Sequence, residues 1–253
     1  IRRPPRSTLF PYTTLFRSYC REQEFRESAV RELFATLPVP DPPPFTFRHV
    51  PRENWNAVWE ENYESVTVNG LCHIRAPFHP PAGNFPYELV IEPKMSFGTA
   101  HHATTRLMVS MLLKEELIGK TLLDMGCGTA VLAILASMMG VTRIVAIDND
   151  DWAFRNAIEN RERNHQSSVE VILGDASQIP EETFDLIVAN INRNVLVDDI
   201  PSYADHLNGD GVLLMSGFYE EDLPAIHEAA TSCGLNLIGF SVEQSWVGIK
   251  YAK

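Results

Sequence analysis

The chain has 253 residues, 45% of them apolar and 21% charged, and its 21 basic against 33 acidic side chains leave a net charge of −12. This composition suits one large domain, or one of about 150 residues with a smaller companion, and excludes wholesale disorder. No run of about 18 apolar residues is present to cross a membrane, and the acidic balance argues against holding nucleic acid through its phosphates.

Residues 1–18, IRRPPRSTLFPYTTLFRS, carry four arginines, three prolines and no acid. They lack the apolar core of a signal peptide. The string resembles translated read-through of a sequencing adapter and is set aside as non-native, with the natural N-terminus expected to be missing. The remainder holds 17 basic and 33 acidic side chains, a charge of −16. Residues 19–88 read as a small, truncated α+β domain. Phe25, Ala29, Leu33, Phe34 and Leu37 mark one face of a helix, and Pro38 to Pro44 form a stiff connector. Phe45 to Val50 alternates as a strand, and Trp55, Val58 and Trp59 fit one side of a short helix. Asn69-Gly70 between β-rich runs predicts a tight hairpin, and Pro77 to Pro86 leads into the strand YELVIEP.

Residues 89–253 form the second domain. The runs TLLDM, RIVAID, VEVILGD, FDLIVANI and GVLLMSGF are short and almost wholly apolar, as strands buried on both faces must be. Helical segments separate them: Ala130 to Met139, Asp151 to Asn164, Val195 to Leu207 and Asp222 to Cys233. Two closing strands follow, near Leu235 to Glu243 and Trp246 to Tyr251. The expected fold is α/β, a doubly wound, mostly parallel seven-stranded sheet that binds its ligand beyond the strands' carboxyl ends. The polar stretch IEPKMSFGTAHHATTRL precedes a helix predicted over Thr104 to Leu117, with Thr104 or Thr105 as its N-cap. His101 and His102 have no third ligand at metal spacing, so no metal site is expected. The cysteines Cys20, Cys72, Cys127 and Cys233 lie far apart, as in a reduced cytoplasmic protein.

The first strand of this domain runs into its helix through Asp124-Met125-Gly126-Cys127-Gly128-Thr129-Ala130. Gly126 and Gly128 permit a tight turn, and the free N–H groups of the following helix favour an anionic group. Asp148, at the end of the next strand, can accept both hydroxyls of a ribose. A dinucleotide turn would require a small residue where this chain has Val131, which disfavours an NAD-dependent oxidoreductase. S-adenosylmethionine fits better. Its carboxylate suits the helix start, its ammonium suits Asp124, and its sugar suits Asp148. Asp175 ends the third strand, where it could accept from the adenine amino group. Asn190, at the carboxyl end of the fourth strand, is the candidate beside the reactive methyl, with Asn192 and Asn194 following.

Residues 92–105, 123–135, 146–148 and 189–194 together resemble the ribosomal large-subunit protein 11 methyltransferase family, PrmA-type. LLMSGFYEEDLPAI is similar to its Bacteroidetes-like branch. The resemblance implies a cytoplasmic enzyme that uses S-adenosylmethionine to methylate lysine side chains, and often the terminal amine, of one basic ribosomal protein. It implies that the small N-terminal domain recognises this substrate. It also assigns cofactor contacts to Thr105, Gly126, Asp148 and Asn190. Asp124, Gly128 and Asp175 are further candidates from the residues themselves, and Asn190 and the backbone beside Ile191 are the candidates for orienting the amine. Two positions depart from the family's usual glycine, Ala100 and Ala130. Ala130 is expected at negative φ, inside the helix start; a positive φ at Ala100 would strain it by about 1 kcal/mol. Two other functions remain open: a small-molecule methyltransferase of the same fold, and a homologue that binds the cofactor without turnover.

Overall fold

The computed structural model describes residues 24–36, 46–47, 60, 62–94 and 98–253. The segment 1–18, the proline connector and the helix expected around Trp55 lie outside the described residues, as does most of the strand expected at Phe45 to Val50. The chain divides into two compact units, 1–57 and 58–253. In the first, the expected amphipathic helix is α1 (Glu27–Ala35), which buries none of its residues. Phe25 and Phe47 meet there with ring centroids 5.2 Å apart.

The second unit holds two sheets. The smaller contains β1 (Val66–Val68), β2 (Cys72–Arg75) and β3 (Tyr87–Val90), with β1 antiparallel and β3 parallel to β2. Asn69 and Gly70 both take positive φ, 53° and 68°, as the predicted two-residue hairpin requires. After α2 (Ala103–Leu112) the chain alternates β4 (Thr121–Met125), α3 (Val131–Met138), β5 (Arg143–Asp148), α4 (Asp151–Arg163) and β6 (Val169–Leu173). It continues through β7 (Phe184–Asn190), α5 (Arg193–Asp205), β8 (Leu207–Tyr219) and α6 (Leu223–Ser232), and closes with β9 (Asn236–Glu243) and β10 (Trp246–Ala252). The large sheet has the order β6-β5-β4-β7-β8-β10-β9; only β10 pairs antiparallel, with both of its neighbours. Strand order reverses between β4 and β7, which puts the ligand crevice at their carboxyl ends.

Alternate residues of the central strands feed two cores. Leu122, Ile144, Ala146, Leu186 and Val188 pack on one face with α2, α3 and α4, while Leu123, Val145, Ile147 and Ile187 pack on the other with α5 and α6. Each fully buried Leu or Ile contributes roughly 1.5–3 kcal/mol, so both faces are fixed before any polar group is considered. The first core also takes in Val68, Cys72, Ile74 and Leu89. The small sheet and one face of the large sheet therefore share a core. No helix among the described residues is long and apolar enough to cross a membrane.

Local differences from the sequence reading have physical causes. The N-cap of α2 is His102, whose Nδ1 accepts the Thr104 N–H at 3.3 Å, and the helix stops at Leu112 instead of Leu117. Thr104 and Thr105 therefore sit on the first turn, buried. Ala130 is not inside the helix start: it is the N-cap of α3, left-handed at φ +60°. Ala100, fully buried, also takes positive φ, +64°. A left-handed alanine costs roughly 1–2 kcal/mol, which offsets what its buried methyl and its stiffer unfolded chain contribute. Gly217 is the converse case. At φ +100°, a Cβ added there would lie 2.2 Å from the Ile191 carbonyl oxygen.

Thermal melts should therefore separate three kinds of site. Ala100→Gly and Ala130→Gly should leave the melting temperature unchanged or raise it. Ala133→Gly, three residues into α3, should cost about 1 kcal/mol or more, lowering it by about 2–4 °C. Gly217→Ala should cost more than about 2 kcal/mol, because backbone must move to admit the methyl.

Candidate active site

The carboxyl end of β4 folds over β5. Gly126 and Cys127 both donate their N–H groups to the Ile147 carbonyl, at 2.8 and 3.0 Å. Gly126 at φ +66° has no room for a side chain, since a Cβ would fall 2.1 Å from Ile191 Cγ2. Two residues on, the Gly128 N–H donates to Asp148 Oδ2 at 2.8 Å, and the Asp150 N–H donates to Asp148 Oδ1 at 3.0 Å. Each oxygen of this half-buried carboxylate keeps a lone pair for a further donor. The sugar-binding expectation for Asp148 thus meets a carboxylate fixed in orientation from both sides.

The start of α3 is partly consumed by the protein. Ala130 donates to the Cys127 carbonyl at 2.8 Å, and Ala133 to Asp124 Oδ2 at 3.1 Å. The N–H groups of Val131 and Leu132 have no partner among the described residues, and both residues line the cleft at the strand ends. Asp124 lines it too, yet is 1% exposed. Burial, with the Asp148 charge adding to it, pushes its carboxyl up to about 7, against the pull of the Ala133 N–H. A cationic group brought beside it would restore the ionised form.

Thr105, Gly126 and Asn190 line the same cleft, together with Gly98 and Cys127. Asn190 donates Nδ2 to Thr105 Oγ1 at 3.5 Å, while its Oδ1 is buried with no hydrogen-bond partner. A buried amide oxygen left unpaired costs about 1–3 kcal/mol, which marks it as an acceptor awaiting a ligand donor. This observation, with the two free helix N–H groups and the oriented Asp148, fits an amino-acid-bearing nucleoside better than a phosphate. Asp175 stands apart at the end of β6. Its Oδ1 caps a short helical turn through the Ser177 N–H and hydroxyl, at 2.9 and 2.7 Å, which holds its carboxyl below the usual range. Asn192 caps α5 through the Val195 N–H, and Asn194 takes a bond from Arg193.

The loop before α2 is tied down from several directions. Thr129 Oγ1 donates to the Gly98 carbonyl at 2.9 Å. Arg106 donates to the carbonyls of His101 and Ala100 at 2.6 and 3.4 Å and pairs with Glu243 of β9. His101 Nε2 lies 2.8 Å from the Glu64 carbonyl. On the same end of the sheet, Tyr219 packs on Trp246 at 4.0 Å and Trp246 meets His102 at 4.8 Å. Gly217 and this aromatic group lie at the same end of the sheet and were not singled out in the sequence reading. The triplet MSG could have flagged Gly217; the others carry no local signal.

Comparison with known proteins agrees with this geometry. Residues 5–253 match the family described as ribosomal protein L11 methyltransferase (PrmA). A protein of Porphyromonas gingivalis named ribosomal protein L11 methyltransferase is 46% identical over 203 residues, 79% of this chain and 70% of that protein. One of the same name from Phocaeicola vulgatus is 40% identical over 237 residues, 92% of this chain and 84% of the relative. Both fit the Bacteroidetes-like branch expected from the C-terminal stretch. The crystal structure of a ribosomal protein L11 methylase from Lactobacillus delbrueckii subsp. bulgaricus superimposes with a TM-score of 0.70 at 26% identity, over 76% of this chain and 99% of that one. Sequence, fold and crevice concur, and the chain belongs to the ribosomal protein L11 methyltransferase family.

Proposed function

We propose that the chain is an S-adenosylmethionine-dependent protein N-methyltransferase acting on amino groups, lysine side chains and the N-terminal amine, of ribosomal protein L11. The observation that carries this reading is the unpartnered, buried Oδ1 of Asn190 at the end of β7. Relatives named for that substrate support the protein target, and the net charge of −12 suits a basic partner. A ribosomal substrate is also consistent with a cytoplasmic location.

The residues divide the work of holding the cofactor. Asp148 takes the sugar hydroxyls on its remaining lone pairs. The N–H groups of Val131 and Leu132 take the carboxylate, and Asp124 faces the ammonium. Thr105 and Gly126 shape the wall, Gly128 holds Asp148 in place, and Asp175 is the candidate for the adenine amino group through its free oxygen. Bound S-adenosylmethionine supplies an electrophilic methyl on sulfur. The protein's task is then to present a neutral amine in line with that methyl. A lysine of pKa about 10.4 is only roughly one part in a thousand neutral near pH 7.4. A fixed carboxylate beside the amine would hold it charged, whereas the Asn190 amide oxygen orients an N–H without that penalty. Thr105 anchors the other end of the same amide. Alignment of the reactants supplies much of the remaining acceleration.

Incubating the chain with methyl-labelled S-adenosylmethionine and purified L11 should label L11 and leave a metabolite panel unlabelled. Asn190→Ala should cut turnover at least tenfold in that assay, with a smaller loss of cofactor affinity. Unlabelled L11, with label on a small molecule, would refute the assignment.

The Asp124 proton gives a second check. In the folded chain this carboxyl keeps its proton up to about pH 7, while unfolded it loses it near 4. Its contribution to stability is therefore fully present below about 4 and is lost as pH rises through 7. Cofactor affinity runs the other way. The ammonium needs the ionised form, so calorimetry should show binding weakening as pH falls from 8 to 6, by up to about tenfold per unit below 7. Asp124→Asn should bind more weakly throughout and without that pH dependence.

A further inference from the structure

The left-handed turn at the start of α3 is held by a side chain from a different helix. The peptide joining Thr129 to Ala130 is fixed at both ends. Its N–H donates to the Cys127 carbonyl at 2.8 Å, and its carbonyl accepts Asn160 Nδ2 at 3.1 Å. Asn160 lies on α4, fully buried, and its Oδ1 accepts the Glu92 N–H at 2.9 Å. One amide thus spans the approach to the 98–102 loop and the turn that begins α3. The same peptide fixes Ala130 at φ +60°. Rotating it would relieve the alanine but break both bonds, and would redirect the Val131 and Leu132 N–H groups that follow. Glycine holds this conformation without help; alanine does not. In this chain, which has alanine, the Asn160 amide supplies the restraint.

We propose that Asn160 is a positioning residue for cofactor binding, holding the Thr129 carbonyl so that the N–H groups of Val131 and Leu132 stay presented to the cleft. The proposal rests on the reading that the cleft takes S-adenosylmethionine. Asn164, four residues on at the C-cap of α4, provides a built-in comparison. Its amide bonds both the N–H and the carbonyl of Val90, at 2.8 and 2.7 Å, and its Nδ2 also donates to the Asn160 backbone carbonyl at 2.7 Å, but it makes no bond to Thr129. A purely structural role at Asn160 would lower stability without changing cofactor affinity.

The test is calorimetric titration of S-adenosylmethionine into the full chain and four variants, with thermal melts of the ligand-free proteins. Asn160→Ala should weaken binding about tenfold, while Asn164→Ala should lower the melting temperature and leave affinity within about twofold. Adding Ala130→Gly to Asn160→Ala should restore affinity to within about threefold of the parent, because glycine takes the left-handed conformation unaided. The loss of melting temperature caused by Asn160→Ala should also shrink in the Ala130→Gly background. If circular dichroism shows Asn160→Ala unfolded, Asn160→Ser, which keeps a polar atom but cannot reach Thr129, replaces it with the same expectations. Equal loss of affinity at both asparagines, or no rescue by Ala130→Gly, would overturn the positioning role alone. Failure of the parent chain to bind the nucleoside would overturn the cofactor reading and this role with it.

Discussion

One carbonyl organises the catalytic end of the sheet. The Ile147 oxygen accepts two consecutive N–H groups, from Gly126 and Cys127, and so bends the β4 chain across the end of β5. That bend brings Gly128 against Asp148, whose carboxylate is then oriented by backbone on both oxygens. It also turns the chain into α3, where two N–H groups are left over for a ligand. Parallel pairing of β4 with β5, from Thr121 opposite Arg143 to Met125 opposite Ile147, sets the register that makes this possible. A slip of one residue would exchange the two cores and separate the glycine turn from its carboxylate.

Asp124 shows how closely fold and ligand chemistry are joined. The same carboxyl caps α3 through Ala133 and sits in a cleft too dry to keep it ionised easily. Alone it stabilises the chain best when protonated; beside a cation it is better charged. Any cation bound there would spend part of its binding energy on drawing off a proton. Asn190 carries the complementary constraint, since its amide is anchored by Thr105 at the nitrogen and left unsatisfied at the oxygen.

The strands and the glycine motif were legible because their physics is local. Unbroken apolar runs such as LIVA in β7 are buried on both faces, and glycines at a strand end announce a turn. The meeting of that turn with Asp148 followed, since the carboxylate comes one helix later at a fixed offset. What stayed hidden depends on tertiary partners. Ala130 in isolation favours negative φ, and only the bonds to Cys127 and Asn160 hold it elsewhere. Asn156, Asn160 and Asn164 fall four apart in a segment rich in charge, and nothing local marks them as buried, as all three are. The small sheet looked like a separate module because its strands alternate; that Val68, Ile74 and Leu89 share a core with α2 and α3 is not encoded in any one segment.

Gly217 and Ile191 also bear on how this scaffold can change its substrates. The Ile191 backbone passes so close over Gly217, and its side chain so close over Gly126, that neither glycine admits a larger residue. The floor of the crevice is thus closed to gradual variation: a side chain at Gly217 would displace main chain, and one at Gly126 would displace the Ile191 side chain. Variation meets less backbone at the periphery, where Tyr219 is exposed beside Trp246.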